Sequence, residues 1–305
     1  MSQAVETMVD QVSRVILGKR YEIRLALACF FARGHLLIED FPGIGKTTLA
    51  KTLARCMGLK FQRMQFTSDL LPGDILGMSV FDQNTASFAF HPGPVFTQVF
   101  LVDEINRATP KSQSALLEAM EEGQVTIEGE TRPLETPFFV IATQNPLEQA
   151  GTFPLPESQM DRFLMRISLG YPDREAERRI LTGEGSNGIM ETIDNCMALN
   201  DVVNIQNEVA NVHASDHFLT YLQDILEFTR TSPEFQIGLS PRAGLALLSA
   251  SRAWAYILGR DYTLPEDLQE ILPWTAGHRL KLNRDLGHLQ REKLMEIFSK
   301  VPVPV

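Results

Sequence analysis

From Met1 to about Tyr171, short apolar runs alternate with segments of helical period. That is the pattern of a mostly parallel sheet with helices on both faces. The candidate strands are His35–Glu39, Phe61–Phe66, Val99–Asp103, Phe138–Ala142 and Phe163–Leu169. Between the first two, Leu49, Ala50, Leu53, Ala54 and Met57 recur at i, i+1, i+4, i+5 and i+8 and paint one face of a helix. Two stretches read as hairpins, one near residues 75–93 and one over Gly123–Pro137. A charged helix starts at Tyr171-Pro172-Asp173-Arg174-Glu175, and Gly183–Asn200 is rich in Gly, Asn and small polar residues. A boundary near Pro172 is expected, giving a first domain over 1–171 and a linker with a helical domain over 172–305. Beyond Pro172 no strand-like alternation recurs, and Tyr221–Thr229, Arg242–Leu258, Pro265–Leu272 and Gln290–Ser299 read as helices.

The 305 residues carry 28 Lys+Arg against 38 Asp+Glu, a formal net charge of −10, with 44% hydrophobic and 22% charged residues. This balance excludes a disordered, collagenous or coiled-coil chain. It also argues against a protein that binds nucleic acid with its whole surface, which needs clustered Lys and Arg. Cys29, Cys56 and Cys196 lie far apart in sequence with no CxxC pair, so neither a disulfide framework nor a thiolate zinc site is expected, and a reducing compartment fits. The longest apolar run, Leu25–Phe31, is far below bilayer length, and Met1–Asp10 carries acids where a signal peptide needs bases. A soluble, cytoplasmic protein without membrane insertion is the expectation.

The chemistry concentrates at strand ends. His35–Glu39 runs through Asp40-Phe41-Pro42-Gly43-Ile44-Gly45-Lys46-Thr47-Thr48 into the amphipathic helix, a phosphate-binding loop in its proper strand-to-helix context. Glycines let successive backbone N–H groups curl round a phosphate, the helix N-terminus adds partial positive charge, Lys46 reaches the outer phosphates, and the Thr47 hydroxyl ligates Mg²⁺. The common pattern has Gly where this chain has Asp40. Val99-Phe100-Leu101-Val102-Asp103-Glu104 is an apolar strand ending in two acids. In such sheets ligands sit at the carboxyl ends of strands, so Asp103 is placed for the Mg²⁺ shell and Glu104 for polarising an attacking water. Phe138–Ala142 continues into Thr143-Gln144-Asn145-Pro146, putting the Asn145 amide at a strand tip between the other two motifs.

Taken together, these residues resemble the AAA+ ATPases and, more narrowly, the MoxR family. The resemblance spans Ile16 to Leu272 and is carried by Glu39–Thr47, Asp103-Glu104-Ile105-Asn106-Arg107-Ala108, Ala142–Pro146, Asp161-Arg162-Phe163 and Ser240-Pro241-Arg242. Asp40 belongs to the MoxR pattern. The resemblance implies an αβα nucleotide domain with a parallel five-stranded sheet, followed by a small helical lid. It implies Lys46 and Thr47 as Walker A, Asp103 and Glu104 as Walker B, and Asn145 as sensor 1. Arg162 matches the arginine finger that enters a neighbouring subunit's site. Arg242 matches sensor 2, and Ser240 as N-cap with Pro241 at N1 independently sets it in the first turn of a helix. Val15-Ile16-Leu17-Gly18-Lys19 resembles the adenine-packing segment, with Ile16 flanking the base and Gly18 allowing close approach; plain core is the other reading. In relatives the two hairpins line a central pore, so Met78, Phe81, Phe88 and Phe90 are candidate partner contacts beside the alternative of packed hairpin side chains. The implied activity is Mg²⁺-dependent ATP hydrolysis by a homo-oligomeric ring, expected to be a hexamer. It would remodel or mature a partner protein, or assist metal-cofactor insertion, with a client protein and a von Willebrand factor A domain partner.

Three other readings fit less well. His213 and His217 lie four apart, but Ala214 stands where a zinc-protease helix needs Glu. A P-loop small-molecule kinase does not account for Glu104, Asn145, Arg162 and Arg242 together. A nucleic-acid motor conflicts with the acidic balance and with hairpins short of Lys and Arg.

Overall fold

The computed structural model of the chain describes residues 2–84, 86–146, 151–184, 192–283 and 291–303. In chain order the first elements are α1 (Ser2–Ser13), α2 (Arg20–Phe31), β1 (Leu36–Glu39), α3 (Lys46–Cys56), β2 (Phe61–Gln65), α4 (Pro72–Leu76), β3 (Gly77–Asp82), β4 (Ser87–Pro92) and β5 (Val99–Asp103). After a 3₁₀ turn come α5 (Pro110–Glu122), β6 (Gln124–Ile127), β7 (Glu130–Pro133), β8 (Phe139–Gln144), α6 (Glu157–Met160) and β9 (Met165–Ile167). The remainder is α7 (Arg174–Leu181), α8 (Leu199–Ala210), α9 (Asp216–Thr231), β10 (Phe235–Ile237), α10 (Pro241–Ile257), α11 (Pro265–Ala276), β11 (Lys281–Leu282) and α12 (Arg291–Phe298).

Five strands form one parallel sheet in the order β2-β5-β8-β1-β9. Side chains alternate faces along each strand. Leu36 and Ile38 of β1 therefore join a core with Val99, Leu101, Phe139 and Ile141, while Leu37 joins Phe100, Val102 and Val140 in a second core under α5. The α3 face read from the sequence is the buried one, with Leu49, Ala50, Leu53, Ala54 and Met57 almost wholly covered. In α1, Val5, Met8, Val9 and Val12 recur at i, i+3, i+4 and i+7 and are completely buried. Each such burial contributes about 2 kcal/mol. The first core runs without interruption from α1 and α2 into α9, α10 and α11.

Both expected hairpins are present as antiparallel pairs, β3 with β4 and β6 with β7. Ser240 caps α10 by accepting a hydrogen bond from the Ala243 N–H at 3.1 Å, with Pro241 at the first helical position. Two expectations are corrected, and one contact goes beyond them. The C-terminal half is helical but also holds a two-strand antiparallel ladder, β10 with β11, too short for any alternation to show. β1, β2 and β9 are shorter than the apolar runs, with His35, Phe66, Phe163 and Leu169 buried just outside them, while β5 has the expected bounds and β8 is shifted to run on to Gln144. Cys56 and Cys196, distant in sequence, meet: their thiols lie within hydrogen-bonding reach and the Cys196 N–H donates to the Cys56 carbonyl at 2.7 Å. Of the expected last helix, Gln290 lies outside the described residues.

Candidate active site

β1 ends at Glu39 and the chain turns through residues 40–45 into α3. Gly43 and Gly45 have φ of +83° and +94°, the left-handed region that glycine enters without strain. A Cβ at either would meet nothing within 4 Å, so the loop backbone is open to an approaching group. Lys46 Nζ lies across the loop and donates to the carbonyls of Asp40 at 2.5 Å and Phe41 at 3.2 Å. Partial burial pushes its pKa down, opposed by the charges of Asp40, Asp103 and Glu104. A lysine holding loop carbonyls can exchange them for phosphate oxygens. Pro42 and Ile44 complete the turn, with Ile44 packed on the main core, and Thr47 and Thr48 stand in the first turn of α3.

The departure at Asp40 has a structural role. Its carboxylate is 3% exposed. Oδ2 accepts from the N–H of Leu169 and of Gly170, both at 2.7 Å, and from Ser168 Oγ at 3.1 Å, while Oδ1 accepts from the Phe41 N–H at 2.9 Å. Asp40 thus ties the start of the loop to the chain leaving β9, which glycine would leave untied.

Parallel pairing brings the second motif alongside. Asp103 closes β5, and its Oδ2 accepts from Arg63 Nε of β2 at 2.7 Å while Oδ1 accepts from Thr143 Oγ1 of β8 at 3.2 Å. Glu104 follows in the left-handed region, φ +55°, its N–H donating to Thr143 Oγ1 at 3.0 Å. That strained turn aims its carboxylate sideways, where Gln65 Nε2 donates to Oε2 at 2.7 Å and Arg107 Nε pairs with the same oxygen at 2.6 Å. β8 lies between β5 and β1, so Asn145, the residue after Gln144, stands between the two motifs at the same end of the sheet.

The N-terminal segment lies nearby. Ile16 is buried in the main core with Val15. Gly18 has φ +71°, and a Cβ there would come within 2.9 Å of Ala176 Cβ, so the close approach it permits here is to α7. Lys19 Nζ donates to the Tyr171 carbonyl at 2.8 Å, and the exposed Tyr171 ring stacks on Phe41 of the loop with centroids 5.9 Å apart. The segment, the loop and the chain leaving β9 therefore meet.

Arg162 and Arg242 are elsewhere. Arg162 Nη1 donates to the Leu117 carbonyl at 2.8 Å and pairs with Glu121. Arg242 Nη1 donates to the other Glu121 oxygen at 2.8 Å, and its Nε lies 3.7 Å from Asp161. Both line an open crevice of about 270 Å³ with Gly34, His35 and Leu164, the amino-terminal ends of β1 and β9. Lys46, Asp103 and Glu104 lie at the carboxyl ends. At about 3.3 Å per residue, the run from His35 to Asp40 separates the two ends by roughly 16 Å. Arg242, which matches sensor 2, lies beside Arg162 in this chain, because α10 packs on α2.

Sequence reasoning missed Arg63, Gln65, Glu121 and Arg279. Each acts through a partner 39 or more residues away, and no local pattern marks such pairs. Among the hairpin aromatics, Phe81 and Phe88 are exposed and meet edge to face at 5.3 Å, and Met78 is exposed. Phe90 is not: the Arg132 guanidinium sits 4.0 Å over its ring and Phe96 packs on its edge, so it joins the two hairpins, as does Ser79 Oγ donating to Glu128 at 2.6 Å. His213 spends its backbone groups on Asp261 and Thr263. Among the described residues no group of three or more His, Cys, Asp or Glu could hold a metal ion, and no helix is long and apolar enough to cross a membrane.

Comparison with known proteins shows the family and the fold. Residues 35–165 match the model of the ATPase family associated with various cellular activities (AAA), and residues 227–297 match the AAA lid domain. The chain is 39% identical over 290 residues to the chaperone MoxR1 of Mycobacterium tuberculosis, covering 92% of this chain and 76% of that protein. It belongs to the MoxR family of AAA+ ATPases. Protein YeaC of Bacillus subtilis is 45% identical over 97% of this chain and 94% of its own. The crystal structure of a candidate ATPase from Cytophaga hutchinsonii superposes with a TM-score of 0.90 at 37% identity, covering 99% of this chain and 94% of that one. As a MoxR-type protein the chain is a nucleotide-binding ATPase of a chaperone family, with the α/β AAA+ fold and helical lid expected from its motifs.

Proposed function

We propose that this MoxR ATPase hydrolyses Mg-ATP at sites shared between subunits of a homo-oligomeric ring, six chains by family resemblance, and uses the cycle to remodel a partner protein. The observation that carries this reading is the separation of the two halves of the chemistry. Lys46, Asp103 and Glu104 gather at one end of the sheet, and Arg162 and Arg242 at the other. A second copy brings the missing arginines.

Residues 42–48 would cradle the phosphates, with Ile16 and Gly18 at the adenine side. The donor set suits Mg²⁺, which takes one or two protein oxygens and completes its shell with phosphate and water. Thr47 and Asp103 would hold it, and once bound it neutralises charge on the phosphate oxygens. Glu104, aimed by Gln65 and Arg107, orients and polarises the attacking water; Asn145 beside it fixes the water's line of attack. Arg162 and Arg242 of a neighbour exchange Glu121 for phosphate and offset the charge that develops there. Release of Arg242 after hydrolysis gives the lid a different contact in each nucleotide state, which a switch requires. The division at Pro172, between nucleotide domain and lid, belongs to this reading. The exposed apolar side chains of the first hairpin, Phe81 and Phe88 near its tip and Met78 near its base, support a protein client over nucleic acid. Metal-cofactor insertion and a von Willebrand factor A domain partner rest on the family alone, and a cytoplasmic location on composition.

The test is the solution mass of Glu104→Gln by light scattering, with and without Mg-ATP. A nucleotide-dependent rise to about six chains is expected. A monomer under both conditions rejects the shared site.

A further inference from the structure

The turn that carries Arg162 is held from outside its own domain. Arg279, just after α11, is almost fully buried, its side chain 5% exposed. Nε donates to Asp161 Oδ1 at 2.6 Å. Nη2 donates to the carbonyls of Asp161 at 3.0 Å and Phe163 at 2.7 Å, and Nη1 to those of Leu164 at 3.1 Å and Thr275. A guanidinium has five N–H groups, and all five are engaged. Three of its acceptors are the backbone carbonyls on either side of Arg162. The neighbouring His278 adds a bond from Nε2 to the Phe163 carbonyl at 3.0 Å; burial pushes its pKa well down, so the ring is neutral and Nε2 donates.

We propose that Arg279 is the positioning residue of Arg162, a five-bond clamp by which the lid sets the reach of an arginine that acts in the neighbouring subunit; this rests on the shared-site reading above. Arg279 does not touch nucleotide itself, because no donor is left over. The clamp reaches further: Asp161 is shared between Arg279 and Arg242, and Arg242 shares Glu121 with Arg162. Lid, turn and both crevice arginines form one connected network, so a lid movement is passed to the arginine a neighbour depends on. Lysine cannot replace the clamp, since an ammonium lacks the planar fork that holds several carbonyls at once.

The experiment uses full-length Arg279→Lys, with thermal midpoint, nucleotide affinity and turnover measured alone and after mixing with excess Glu104→Gln chains. Glu104→Gln subunits have an intact Arg162 turn and contribute almost no turnover. Alone, Arg279→Lys should lose at least tenfold in kcat with nucleotide Kd within twofold of the parent. In mixed oligomers its sites should recover at least half of parental turnover per Arg279→Lys chain. Arg162→Ala mixed in the same way is the control. Recovery by Arg162→Ala without recovery by Arg279→Lys overturns the proposal, since Arg279 would then serve its own chain's site. Recovery by neither rejects the shared site, and the proposal with it. Undiminished turnover of Arg279→Lys alone also overturns it. If Arg279→Lys does not fold, Asp161→Asn, which keeps the backbone acceptors, should show a smaller loss with the same recovery, and failure to recover has the same meaning.

Discussion

Arg162 and Arg242 each take one oxygen of the Glu121 carboxylate, from two elements that are not adjacent in sequence. Glu121 lies in the last turn of α5, Arg162 on the turn before β9, and Arg242 in the first turn of α10. A carboxylate held by two arginines makes the same kind of charge-assisted bonds that a phosphate oxygen accepts.

Residues sharing one partner do not act additively. Arg162→Ala should lower kcat by about 1,000-fold or more, the scale of a transferred arginine in phosphoryl transfer, while nucleotide affinity stays within about threefold. Arg242→Ala should show a similar pattern. The double variant should fall close to the worse single one rather than to the product of both. Steady-state turnover with a fluorescent-nucleotide titration checks this, and multiplicative losses would show that the two act at separate places.

At the other end, Lys46→Ala should abolish measurable nucleotide binding. Glu104→Gln keeps the same side-chain length but cannot accept a proton, so it should bind Mg-ATP and hydrolyse it at least about 100-fold more slowly. Gln65→Ala, which removes the 2.7 Å support of Glu104, should lower kcat with little change in KM. A rise in KM alone would place Gln65 in binding instead.

Asp40→Gly would restore the common loop pattern, yet it removes an acceptor of four hydrogen bonds. A hydrogen bond to a charged group contributes about 1.5–3 kcal/mol net of its exchange with water, and water entering the space of the lost side chain replaces part of the set, so a loss of at least about 3 kcal/mol of stability is expected. Asp40→Asn, which keeps part of the acceptor set, should lose less. Urea unfolding reads both, and an Asp40→Gly midpoint equal to the parent's would remove the structural role.

Acid should destabilise the protein early. His35 is buried, its Nδ1 accepting from the Val140 N–H at 3.0 Å and its Nε2 donating to the Met120 carbonyl at 3.1 Å. Burial lowers its pKa from 6.5 to about 4. Above pH 6.5 the ring is neutral in both folded and unfolded chains, and its contribution to stability is complete. As pH falls from 6.5 toward 4 the unfolded chain takes up a proton that the folded chain refuses, so stability is lost over that window, by about 3 kcal/mol from His35. The buried His278 acts in the same direction. Unfolding free energies at pH 7, 6 and 5 should decline together, and His35→Gln should flatten the slope. A slope unchanged by that substitution would assign the loss to other groups.

What could be read along the chain were features that depend on near neighbours. The face of α3, the phosphate loop, the Asp103-Glu104 strand end and the Ser240 cap each need only a few adjacent residues, because helix and strand periodicity and capping are local. A parallel sheet then brings its carboxyl-end motifs together almost automatically. Other features had no local signal. Asp40 reads as a missing glycine until the chain leaving β9 supplies its donors. Gln65 and Arg63 become supports of the two acids only once β2 lies beside β5, and Cys56 meets Cys196 only through folding. Above all, the family motif names Arg242 as a sensor without saying which end of the sheet it reaches. That depends on α10 packing its apolar face on α2 and on the buried Arg279 clamp, long-range contacts whose energy comes from burial between distant segments rather than from any preference written along the chain.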